Sequence, residues 1–110
     1  MALTIKTEKP QLLLDKIYKA IDEEKIKTWS YDKEGDFTHV TPDKQWVNKA
    51  WLSPDALSNE KELRFKILKP KDKILSDEVN GVYHGRFIEM LLVHFDKDIN
   101  LVSTIPRSKQ

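Results

Sequence analysis

The sequence contains no cysteine and only three glycines among its 110 residues. Without cysteine, the chain has no means of forming a disulfide scaffold, a thiolate zinc site or a cysteine nucleophile. The three glycines are not spaced as G-x-G-x-x-G or as a Walker motif, so the sequence has no glycine-rich phosphate loop. The serines lack the G-x-S-x-G context of a hydrolase nucleophile. These absences exclude the commonest signatures of nucleotide-binding and hydrolytic enzymes.

Long hydrophobic runs are also missing. The longest apolar stretch is 90–93, far below the roughly 18 residues that a membrane-spanning helix needs. The first residues are not a basic segment followed by an apolar run, so we expect no signal peptide. The sequence therefore predicts a cytoplasmic protein that does not bind membranes.

Neither sign of charge is in excess. Lysine and arginine number 19, aspartate and glutamate number 18, and the net charge is +1. This balance argues against binding nucleic acid through broad electrostatic attraction. A local basic run over 64–73 would suit a single-stranded nucleic acid only beside exposed aromatic rings. We expect it to be a solvated strand edge, where lysine discourages sheet-to-sheet aggregation.

What the sequence does contain is a pattern of strands and helices. Alternating apolar residues predict strands over 2–7, 26–31, 36–40, 45–53, 62–69 and 99–105. Helical spacing predicts helices over 10–25 and 76–95, with a loop over 54–60. The β-α-β-β-β-β-α-β order predicts one α+β domain over 1–110. We expect a two-layer sandwich in which two helices pack on one face of a mostly antiparallel sheet of five or six strands. The plan resembles a ferredoxin-like fold with an extra hairpin between the helices.

The second predicted helix is apolar over more than half of its circumference, so one sheet cannot cover it. The first helix or a second copy of the chain must cover the rest. Gly81 and Gly85 lie four residues apart on one face, and each destabilises a helix interior by about 1 kcal/mol relative to alanine. We expect this face to approach the sheet closely; the alternative is close approach of a ligand or a partner chain.

Two histidines, His84 and His94, fall within the apolar arc of this helix. We expect both to be neutral, buried imidazoles; the alternative is acid–base catalysis with Glu89. Ten residues of helix separate them by about 15 Å along the axis, so one metal ion cannot bind both. We expect neither a metal nor another cofactor. Tyr83, His84 and Arg86 make 83–86 the segment where a pocket is expected first.

Three aromatic residues are candidates for an exposed patch. If Trp29, Tyr31 and Trp51 share the open face of the sheet, they form an apolar surface of the kind that marks an interface. The alternative is that each ring packs over neighbouring lysine side chains.

With no catalytic motif, we expect a small non-enzymatic binding protein that recognises another protein, of inhibitor, immunity or adaptor type. Two alternatives remain open: a small-molecule-binding module and a histidine-dependent acid–base enzyme. In each case a homodimer would cover the apolar second helix. The candidate catalytic residues are His84, His94 and Glu89, and the candidate binding residues are Trp29, Tyr31, Trp51, Tyr83, His84 and Arg86.

Overall fold

Six strands and two helices make up the fold in a computed structural model, which describes residues 2–106. The helices are α1 (Pro10–Asp22) and α2 (Asp77–Phe95). The strands are β1 (Ala2–Lys6), β2 (Trp29–Tyr31), β3 (Phe37–His39), β4 (Trp51–Leu57), β5 (Glu62–Leu68) and β6 (Leu101–Thr104). Short 3-10 turns follow β4 (Ser58–Glu60) and α2 (Asp96–Asp98).

All neighbouring strands are antiparallel, and the sheet order is β2-β3-β4-β5-β1-β6. The predicted α+β class and the predicted element order are therefore confirmed. Without the β2–β3 hairpin, the remaining elements follow the β-α-β-β-α-β connectivity of the ferredoxin-like plan. The hairpin extends the sheet beyond β4, as an addition between the two helices.

The strand register separates an apolar face from a polar one. Leu3 lies opposite Phe65 and Ile5 lies opposite Leu63, and all four side chains are buried under the helices. The alternate residues point to the open face, where Glu62 forms ion pairs with both Lys6 and Arg64. These two cations hold the pKa of the Glu62 carboxyl below its usual value, Lys6 having the larger effect. The open face is therefore charged rather than apolar.

Helix α1 is amphipathic, as predicted, and ends three residues earlier than the pattern suggests. Leu13, Leu14 and Ile17 are buried against the sheet. The helix stops because Glu24 adopts a left-handed conformation (φ 61°) and donates its backbone N–H to the Ile21 carbonyl. Such a residue satisfies a terminal carbonyl and turns the chain away from the helix axis. Within the described residues, neither helix combines the length and apolarity that crossing a bilayer requires.

The predictions for 45–53 and 54–60 were wrong. Residues 45–50 form turns, and the strand runs from Trp51 through Pro54 to Leu57. Proline is tolerated because β3 pairs with β4 only at Phe37–Leu52, which leaves the rest of that strand edge without a neighbour. The proline at position 54 therefore does not end the strand.

The core centres on a cluster of aromatic rings around Phe87. Phe87 of α2 lies 4.7 Å from Phe65, 4.9 Å from Trp29 and 5.5 Å from Phe37 between ring centroids. Trp29 is only 2% exposed. The prediction that it contributes to an exposed patch was wrong, because its side of β2 faces the helices.

The β2–β3 hairpin is attached to α1 through Tyr18. The Tyr18 ring stacks on Phe37, and its hydroxyl donates a hydrogen bond of 2.7 Å to the Gly35 carbonyl. Burial, with Asp36 nearby, raises the pKa of Tyr18 to about 12. Gly35 has a φ of +84°, and an added Cβ would lie 2.6 Å from the Tyr18 hydroxyl oxygen.

We predict that Gly35→Ala lowers the free energy of unfolding by about 1–3 kcal/mol, because alanine is strained at this φ and its methyl group displaces Tyr18. Urea denaturation of the variant and the parent protein measures the change. An unchanged urea midpoint would show that the hairpin does not depend on this contact.

Candidate functional site

A groove of about 320 Å³ lies between the second half of α2 and the β2–β3 hairpin. We name it the α2–hairpin groove. Its hairpin side is formed at the end of β3 and the start of β2, and the loop before β4 contributes Trp46. The lining residues are Thr28, Trp29, His39, Thr41, Trp46, Arg86, Glu89, Met90, Val93 and His94.

His39 is the groove residue with the best-defined chemistry. It is 5% exposed, and its Nδ1 lies 2.8 Å from the Thr28 carbonyl oxygen. Because a carbonyl only accepts, Nδ1 carries the proton and Nε2 carries a lone pair. Within residues 2–106, Nε2 has no hydrogen-bond partner, and it is not enclosed in the core. His39 therefore presents a hydrogen-bond acceptor to the groove.

The electrostatic surroundings keep His39 neutral. Burial lowers its pKa below the usual value, and the Arg86 charge acts in the same direction. The Thr28 hydrogen bond and the Glu89 charge oppose this shift without cancelling it. At neutral pH the imidazole is therefore an uncharged acceptor rather than a cation.

Packing holds the groove walls in place. The Trp29 ring lies 4.7 Å from the His39 ring between centroids. Tyr83 is fully buried, and its hydroxyl donates to the Trp46 carbonyl and lies 2.9 Å from the Thr38 hydroxyl. Tyr83 thus ties the half-buried Trp46 segment to α2. It positions the wall of the groove without lining it.

The rim of the groove is charged and accessible. Arg86 and Glu89 form an ion pair with both N–O distances at 3.3 Å, and each side chain is more than half exposed. Long, exposed pairs of this kind contribute little to stability, so both groups remain available to a ligand. His94 is exposed beside them. The prediction that His94 is buried was wrong, because it lies near the end of α2 beyond the part of the helix that the sheet covers.

His84 is buried as predicted, with 4% of its surface exposed. Its Nδ1 lies 2.7 Å from the Asn80 carbonyl oxygen, and burial lowers its pKa. Its Nε2 and the Asn80 side-chain oxygen are enclosed without a hydrogen-bond partner in the described structure. Of the segment 83–86, in which a pocket was expected, only Arg86 lines the α2–hairpin groove.

The two helical glycines face solvent. A Cβ at Gly81 or at Gly85 would meet no atom within 4 Å, so the prediction that they approach the sheet was wrong. They share one exposed side of α2 with two apolar residues, Leu92 at 46% and Val93 at 71% exposure. We name this side the outer face of α2; it comprises Gly81, Val82, Gly85, Arg86, Glu89, Leu92 and Val93.

The three candidate aromatic residues of the sheet do not form one surface. Tyr31 lies opposite Phe37 on the helix-covered side and donates from its hydroxyl to Asp22 at 2.6 Å. Trp51 is half-buried and precedes the buried Leu52, so it points to the open face. Because Trp29 lies in the core, the three aromatic residues occupy three separate environments and do not form the predicted patch.

Sequence reasoning missed His39 and Trp46 as neighbours in one site. The available signal was that His39 shares a strand face with Phe37, which predicts that a histidine borders the core. The turns over 41–50 that bring Trp46 to the same groove have no periodic pattern. Within residues 2–106, no group of three or more histidine, aspartate or glutamate side chains is arranged to hold a metal ion.

We predict that stability falls as the pH drops below about 6.5, the usual value for histidine in an unfolded chain. The pKa values of His39 and His84 are lowered in the folded state, so the unfolded chain binds more protons in this range and is favoured. Urea midpoints between pH 7.5 and pH 5, measured in steps, test this. A midpoint that stays constant over that range would contradict it. Glu62, whose folded-state pKa is lowered, has its effect at more acidic pH, because its contribution to stability begins to be lost only near the unfolded glutamate pKa of about 4.3.

We also predict that Gly81→Ala and Gly85→Ala each raise the free energy of unfolding by about 0.5–1 kcal/mol. Both positions are helical and open, so alanine adds helix propensity without a clash. Thermal unfolding should shift upward by a few degrees in a domain of this size. A lower melting temperature would show that the outer face is packed against the chain's own atoms.

Comparison with models of known protein families, with curated proteins and with solved structures found no match to this chain. Its function therefore has to be inferred from its own residues.

Proposed function

We propose that this chain is a small binding protein, without catalytic activity of its own, that recognises another protein through the outer face of α2. The observation that carries the proposal is the pair of open glycines on this face. Each destabilises the helix by about 1 kcal/mol relative to alanine, and no contact within the fold requires a glycine there. Both glycines are explained if the backbone of a partner protein packs closely against α2 at these two positions.

The dimensions of the outer face fit a polypeptide better than a small molecule. From Gly81 to Val93 it spans thirteen residues, or about 18 Å of helix. Its end near Leu92 and Val93 is apolar and exposed, and its middle carries the Arg86–Glu89 pair. A partner helix with apolar residues at one end and an opposite charge pair in its middle would match this surface.

This proposal keeps the class expected from the sequence, an inhibitor, immunity or adaptor type of protein acting in the cytoplasm. A homodimer is the alternative occupant, since Arg86 of one copy and Glu89 of another would pair reciprocally across a two-fold axis. The experiment below separates a different partner from a second copy by mass.

The test is photo-crosslinking in the native host with benzoylphenylalanine placed at Leu92, and at Leu12 as control. The two residues are equally exposed, at 46% and 47%, but Leu12 lies on α1. We expect one adduct of defined mass from position 92 and none from position 12. Adding Gly85→Leu should abolish the adduct, because it fills the space that the partner approaches while the chain's own fold has room for it.

Two results would contradict the proposal. The absence of any adduct from position 92 would show that the outer face has no protein partner. An adduct that persists with Gly85→Leu would show that binding does not depend on close approach at the glycines. An adduct of twice the chain's own mass would show that the partner is a second copy of this chain and not a different protein.

A second candidate function is acid–base catalysis. His39 is better placed for this chemistry than His84 and His94, the histidines expected from the sequence. Its Nδ1 is fixed by the Thr28 carbonyl, and its free Nε2 can take a proton from a group bound in the groove. Glu89 lines the same groove. Partner binding is the better-supported function, because an acid–base site in the groove would not account for the two open glycines of α2.

A further inference from the structure

We propose that the α2–hairpin groove binds a small, neutral, planar heterocycle in which a ring N–H stands next to a carbonyl group. In this arrangement the N–H donates to Nε2 of His39 and the carbonyl accepts from the Arg86 guanidinium. The groove shares Arg86, Glu89 and Val93 with the outer face of α2, but the proposal does not rest on partner binding there.

His39 has a free hydrogen-bond acceptor at the groove. This residue is 95% enclosed by protein, yet Nε2 has no partner within the described residues. The hydrogen bond to Thr28 fixes the ring and its tautomer. Nε2 itself is open to the groove, where water is its ordinary partner and the donor of a bound ligand can take the place of that water. The missing partner has to be a donor, which selects N–H or O–H groups.

Arg86 provides a hydrogen-bond donor at the same groove. Arg86 and His39 line the same groove. Among residues 2–106, the guanidinium is held by two long contacts to Glu89. It can therefore turn to a carbonyl acceptor beside His39. Because Glu89 offsets its charge, the rim favours a ligand without net charge.

The shape and surface of the groove suit a flat ring. Trp29, Trp46 and Met90 provide aromatic and apolar lining, which suits the face of a flat ring. The volume of about 320 Å³ lies at the small end of ligand sites. A single heterocycle or its nucleoside fits this volume, whereas a cofactor with two nucleotides does not.

The test is titration of the full chain with uracil, followed by amide chemical shifts and by calorimetry. Uracil is flat and carries N–H groups flanked by carbonyls. We expect saturable shifts at residues of the groove. Two chemical controls isolate the features proposed here: 1,3-dimethyluracil lacks both N–H donors, and 5,6-dihydrouracil has a puckered ring. We expect each to bind at least about tenfold more weakly, the effect of one lost hydrogen bond or stacking contact.

Matched tryptophan variants test the location. Trp46→Leu should weaken uracil binding at least about tenfold, because Trp46 lines the groove. Trp51→Leu should leave binding unchanged, because Trp51 is also half-buried but points to the opposite face of the sheet. Neither residue belongs to the outer face of α2, so a failure here is separate from a failure of partner binding.

A pH series tests the role of His39 without a substitution in the core. Protonation converts Nε2 from an acceptor to a donor. Because the pKa of His39 is lowered by burial, uracil binding should weaken only at pH values below the usual histidine value of about 6.5. The charged and titratable groups that line the groove with it are Arg86, Glu89 and His94, all on α2.

Three results would overturn the proposal. The first is the absence of groove shifts at the solubility limit of uracil. The second is equal affinity for uracil and 1,3-dimethyluracil. The third is an equal loss of affinity in the Trp46 and Trp51 variants.

Discussion

The contact on which the structure depends is the insertion of Phe87 between the rings of Trp29, Phe37 and Phe65. These rings come from three strands, and Phe87 touches all of them at centroid distances between 4.7 and 5.5 Å. Because successive helical residues are rotated by about 100°, fixing Phe87 inward fixes the direction of every other residue of α2. The neighbouring Arg86 is turned toward the hairpin, and Gly85 is turned to solvent.

This rotation also decides where the groove forms. One turn before Phe87, Tyr83 reaches the Trp46 carbonyl and the Thr38 hydroxyl. One turn after Phe87, Met90 enters the floor of the groove. Trp29 contacts both Phe87 and His39, so the residue that anchors the helix also supports the imidazole. Core and groove therefore share their walls, and a change in the packing of α2 would move both.

The sequence predicts which side of a helix is buried only where the apolar residues are confined to one side. Helix α1 has a single apolar stripe, and its buried side was predicted. Helix α2 is apolar over most of its circumference, so periodicity alone does not decide whether Gly81 and Gly85 face the sheet or solvent. The ring cluster around Phe87 decides it, through contacts between residues distant in sequence. For the same reason the meeting of His39 with Trp46 was not predictable, since it depends on turns without a pattern.

Features that destabilise the fold are concentrated on α2, both on its solvent side and on its buried side. Outside, two glycines each destabilise the helix by about 1 kcal/mol. Inside, His84 Nε2 and the Asn80 side-chain oxygen are buried without partners, at about 1–3 kcal/mol for each such group. Against a net stability of about 5–15 kcal/mol for an ordinary domain, these terms together are large. The burial of Phe87 among Trp29, Phe37 and Phe65 offsets them. The same ring cluster that sets the rotation of α2 therefore also supplies the packing that allows the helix to carry two open glycines on one side and two unpaired polar atoms on the other.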